Sequence, residues 1–75
     1  MMRYVAELYR DESEIIPGEK LSIDTKDFEA KDDAEASHLA EEWAVVVLSQ
    51  MLDYIVHLQV VQDGRGVFTK TYGDL

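Results

Sequence analysis

The spacing of the apolar residues changes twice along this chain, and that change limits the folds open to it. From Ala36 through Leu39, Ala40, Trp43, Ala44, Val47, Leu48 and Met51 they recur every three or four positions, with Glu35, Ser37, His38, Glu41, Glu42 and Ser49 between them. This is the period of an amphipathic helix, here about five turns long. On either side the period is two. Tyr4, Ala6 and Leu8 alternate with Val5, Glu7 and Tyr9, and Leu21 and Ile23 alternate with Ser22 and Asp24. Beyond the helix Val56, Leu58 and Val60 alternate with Ile55, His57, Gln59 and Val61. Such alternation, rich in β-branched and aromatic residues, marks half-buried strands.

The punctuation agrees with the periods. An acidic turn at Asp11–Glu14 and the pair Pro17–Gly18 join the first strand to a short second one over 20–25. Asp32 or Asp33 supplies a helix N-cap, with Glu35 in the first turn where the dipole favours negative charge. Asp63–Gly64 is a hairpin signal that returns the chain as a strand over 67–72, and Gly66 leaves open whether Val67 or Phe68 faces the core. The order is ββαββ. It predicts an α+β fold, a four-stranded antiparallel sheet with one long helix packed on one face. The expected core is Tyr4, Ala6, Leu8, Leu21, Ile23, Leu39, Ala40, Trp43, Val47, Met51, Val56, Leu58 and Val60.

Seventy-five residues make a single domain, 1–75, without room for a second core. A domain of this size buries only about 60% of the surface of its unfolded chain and gains from extra staples. Without cysteine, disulfides and thiolate zinc sites are excluded. A partner chain is the remaining source of burial. Val45 and Val46 widen the apolar surface around the helix beyond what one sheet can cover, so this side is expected to meet a second copy.

The charge narrows the function classes. The net charge is −9, and residues 11–35 hold ten acids against Lys20, Lys26 and Lys31. Phosphate backbones and anionic lipid are disfavoured partners, so no nucleic acid and no membrane are expected. The start of the chain lacks the basic and apolar regions of a signal peptide, and 44–61 is too polar for a membrane span, which leads to a cytoplasmic expectation. An acidic ridge including Glu12, Glu14 and Glu19 would suit a basic protein partner, although acidic loops also serve solubility alone.

Chemistry-bearing residues are few. Glu35, His38 and Glu42 share helical spacing and are the candidate metal ligands, but one helix provides only part of a coordination sphere unless a dimer completes it. The run Asp24, Asp27, Glu29, Asp32 and Asp33 lacks the alternate spacing and central glycine of a calcium loop and reads as a solvated connection that caps the helix. His57 has no nucleophile in a recognisable context, and Gly64–Arg65–Gly66 precedes no helix as a phosphate loop would. No catalytic residue and no cofactor are expected.

The passage "FEAKDDAEASHLAEEWA" after "RYVAELYRDE" resembles the strand-to-helix passage of HicB-like antitoxins, where a tyrosine-bearing strand leads through an acidic turn to an alanine-rich helix. The closing "VHLQVVQDGRGVFTKTYGDL" is similar to the last hairpin of a family of short bacterial proteins that begin "RYFF", contain an alanine-rich helix and end in a "DGR" hairpin. That family implies the same order of elements and brings no activity with it. Together these readings lead to a small acidic, non-catalytic protein-interaction module acting as a homodimer. The alternative is a metal-dependent or small-molecule enzyme with its site on the helix face across a dimer interface.

Overall fold

A computed structural model describes residues 1–11, 20–49 and 55–73. Four strands, β1 (Met2–Asp11), β2 (Lys20–Ala30), β3 (Val56–Gln62) and β4 (Arg65–Tyr72), flank one helix, α1 (Asp33–Leu48), in the order ββαββ. They form one antiparallel sheet of order β2-β1-β3-β4. The α+β fold expected from the apolar periods is therefore the fold observed. The two strands with the strictest alternation, β1 and β3, take the centre of the sheet.

Tyr4, Ala6 and Leu8 of β1 and Val56, Leu58 and Val60 of β3 are fully or almost fully buried beneath the helix. Their registers interlock, with Ala6 opposite Val60 and Leu8 opposite Leu58. Burying each large aliphatic side chain here is worth roughly 1.5–3 kcal/mol relative to leaving it in water. The helix meets this layer along one row, Ala36, Ala40, Ala44 and Leu48, all buried. Side chains four apart stack on one face of a helix, and three alanines in succession let its backbone approach the sheet closely.

That row corrects part of the expected core. Leu39 is 38% exposed, whereas Ala30, Ala36, Ala44 and Leu48 are buried. Trp43, Val47 and Ile23 pack at the margin of the core. The helical period gives the width of an apolar stripe, and only docking decides which line within it points at the sheet. The side chains of Leu21 and Met51 lie outside the described residues, as do 12–19 and 50–54.

The second strand is longer than expected. Of the acid run read as a solvated connection that caps the helix, Asp24, Asp27 and Glu29 instead lie in β2, paired with β1 from Met2↔Ala30 to Leu8↔Asp24, while Asp32 caps α1 as expected. Strand is compatible with charge here because β2 is at the edge of the sheet, where charged side chains reach water and discourage pairing with another chain. On the bare face Arg3 stands opposite Glu29, a cross-strand pair of opposite charge.

The closing hairpin resolves the question at Gly66. Asp63 and Gly64 both have positive φ, 50° and 78°, as a type I′ turn requires. Val61 then pairs with Gly66 and Val60 with Phe68, so Val67 is the extra residue of a bulge. Val67 and Phe68 both pack against the core. An equivalent irregularity opposite Leu8 makes Ile23 the extra residue of β2, and it too reaches the core margin.

Candidate functional site

The helix start is held by a set of hydrogen bonds. Asp32 is the N-cap, its carboxylate accepting from the Glu35 N–H at 2.8 Å, and Glu35 accepts in turn from the Lys31 N–H at 3.0 Å. This reciprocal arrangement satisfies donors that a helix start leaves open. The Asp33 carboxylate receives two hydrogen bonds from the Arg65 guanidinium, both 3.0 Å, and one from the Tyr4 hydroxyl, 2.9 Å. Arg65 also donates to Gln62 Oε1 at 2.7 Å. Three elements thus converge: β1 through Tyr4, α1 through Asp33 and the closing hairpin through Arg65.

The charges respond to those contacts. Hydrogen bonds from Arg65, then from Tyr4, hold the Asp33 carboxyl below its ordinary range. Tyr4, whose ring lies wholly inside the core, is pushed up by burial and by donating to Asp33. Bidentate pairing raises Arg65 further above neutrality, so the pair is fully ionised at physiological pH. The Tyr4 hydroxyl and both terminal nitrogens of Arg65 donate to Asp33, which makes the cluster a fastener of helix to sheet. Its members are 29 to 32 residues apart, and no local motif in the sequence points to them.

The metal candidates do not converge. Glu35 is turned to the Lys31 N–H, while His38 Nε2 and Glu42 Oε1 pair with each other at 2.8 Å on the open side of the helix. Among the described residues no three metal-ligating side chains stand close enough to hold an ion. His57 Nδ1 lies 3.0 Å from Thr71 Oγ1 on the bare face of the sheet, beside the Tyr9 ring at 5.2 Å. Ser22 and His57 flank Tyr9 on the two neighbouring strands, so they are two strand spacings apart, about 10 Å, beyond hydrogen-bond reach. Ser37 and Ser49 donate to carbonyls of their own helix.

An open groove of about 360 Å³ lies between α1 and β2. Ala6 and Ala40 form its floor, Phe28 and Lys26 stand on the strand wall, and Leu39, Glu42, Trp43 and Val46 on the helix wall. Phe28 is steadied by stacking on Tyr4, with centroids 5.8 Å apart. At the lip of the groove Val46 is 70% exposed, and Val45, 58% exposed, stands farther round the helix beyond the His38–Glu42 pair. Sequence reasoning had singled out Val45 and Val46 and missed Lys26 and Phe28. Their placement depends on β2 running on to Ala30, which the charge of that segment concealed.

Glu12, Glu14 and Glu19, expected on an acidic ridge, lie outside the described residues. The remaining acids of that stretch lie at the end of β1, on β2 and at the helix start. No described helix is long and apolar enough to cross a membrane. Comparison of the chain with protein-family models, curated proteins and solved structures found no match.

Proposed function

We propose that this chain is a small protein-interaction module without a catalytic role, and that it works as a homodimer. The observation that carries the reading is the outer side of α1. There Leu39, Val45 and Val46 stand in water beside an apolar groove, on a domain small enough to gain substantially from further burial. Their exposure has no counterpart inside the fold, because the helix already meets the sheet through its alanine row. Three of the ionisable groups shifted by their surroundings, Tyr4, Asp33 and Arg65, are occupied in joining helix to sheet, which supports a binding role over a chemical one.

Stable association calls for roughly 1,200 Å² or more of total buried surface, and the exposed helix side with the groove beside it is the candidate area. Light scattering at tens of micromolar is expected to give twice the protomer mass. Val46→Glu, which buries a carboxylate in any interface using this side, is expected to return it to the protomer mass with the circular dichroism unchanged. A wild-type chain that scatters as a single protomer would overturn the reading.

A further inference from the structure

The groove carries opposite charges on its two walls. Lys26 stands on β2 and Glu42 on α1, both are exposed, and they make no ion pair with each other although they line the same cavity. Lys26 has no ion-pair partner among the described residues. Glu42 lies on the helix between Leu39 and Val46, at spacings of three and four that put all three along one ridge. A positive strand wall, an apolar trough and an apolar ridge with a negative centre therefore lie side by side.

We propose that the groove is the seat of a second copy of this chain, each protomer laying its Leu39–Glu42–Val46 ridge along the other's strand wall so that Glu42 of one meets Lys26 of the other. The proposal rests on the homodimer reading above and specifies its surface. The argument is self-complementarity. In a two-fold interface each contact occurs twice with the roles exchanged, so a patch fits its own copy only if each feature has its complement elsewhere on the same patch. A two-fold axis running along the groove sets strand wall over helix wall and helix wall over strand wall. Trough then faces apolar trough, and the ammonium on each strand wall meets the carboxylate on the facing ridge, twice.

Charge also argues against a looser arrangement. Two protomers of net charge −9 repel, so an interface between them must bring its few cations to acids. Arg65 and Lys70 are already paired within the protomer, to Asp33 at 3.0 Å and Glu41 at 3.3 Å. Lys26 is the cation that the groove presents.

The test is sedimentation equilibrium of the full chain with Lys26→Glu, Glu42→Lys and the double exchange, with circular dichroism to show that these exposed substitutions leave the fold intact. Each single change should raise the dimer dissociation constant by about tenfold or more, since it sets like charges together at two places, and the double exchange should restore it to within about threefold. Glu42→Lys is the decisive arm. It reduces the net negative charge, so general repulsion alone would tighten the dimer, whereas the proposed contact loosens it. A dimer indifferent to both single changes, or one that the double exchange fails to restore, would overturn this contact while leaving the homodimer reading in place. A wild-type chain that sediments as a protomer would remove both.

Discussion

Apolar residues on one helix have opposite fates. Ala36, Ala40, Ala44 and Leu48 are buried against the sheet, while Leu39, Val45 and Val46, one or two positions away, stand in water. The line that touches the sheet most closely is mostly alanine, with Trp43 and Val47 packed at its margin, while two valines remain outside. Apolar area alone does not choose alanine for the closest line, so something else sets the rotation of α1. Part of the reason is room. Tyr4, Leu8, Leu58, Val56 and Val60 already fill the inner layer of the sheet, and only small side chains let the helix close over them at native packing density. The rest is the fastening at the helix start, where Asp33 is tied to Tyr4 below and Arg65 beside it. Size complementarity and one polar cluster together set the rotation of the helix.

The contrast between the rows is most open to attack at adjacent positions. Ala44→Leu adds volume where the helix touches the sheet and is expected to destabilise by about 1–3 kcal/mol, lowering the melting temperature by about 4–8 °C for each kcal/mol. If urea unfolding showed Ala44→Leu to be neutral, close approach through the alanine row could not be what sets the rotation. Asp32→Ala comes next, because it removes the cap that starts the helix in register with β2. A loss of about 1 kcal/mol is expected, and a loss of helical circular dichroism without a change in unfolding midpoint would contradict it.

The Asp33–Arg65 pair should have a smaller effect, since the two side chains remain 46% and 54% exposed and water screens them. Its sign with pH is definite. The folded state holds Asp33 below the value of an unfolded carboxyl, about 3.9, so the stabilisation is complete above that value and disappears as pH falls through the lowered one. Arg65→Gln should therefore be less stable than wild type near neutrality and converge on it once pH falls below the lowered Asp33 value. Parallel unfolding curves across that range would mean that the cluster does not hold the helix. The smallest effect belongs to the outer row. Val45→Lys in dilute solution, where protomers are apart, should change unfolding by less than about 0.5 kcal/mol, although it replaces an apolar residue next to Ala44.

Much of the fold is readable in the residues because it follows from local rules. The two-residue period of 3–9 and 55–61, the three-and-four period of the helix, the aspartate cap and the Asp63–Gly64 turn each express a preference of a short segment, and all agree with ββαββ. The second strand was legible only in part. Asp24, Asp27 and Glu29 suit a loop as well as an edge strand, and the pairing with β1 that distinguishes them is not local. Val67 and Phe68 could not be ranked as core from spacing alone, and the bulge sends both inward.

The candidate site divides along the same line. An excess of apolar surface on the helix was evident from Val45 and Val46, because counting positions around a helix needs no knowledge of what it packs on. Which row turns inward, and the groove that Lys26 and Phe28 make with Leu39, Glu42, Trp43 and Val46, arise only when helix and strand are brought together. The same is true of the Tyr4–Asp33–Arg65 cluster, whose members are separated by about half the chain. Periodicity and capping are properties of neighbours in sequence, whereas the rotation of a helix depends on side-chain volumes and hydrogen bonds contributed by strands on either side of it, and those meet only in the folded chain.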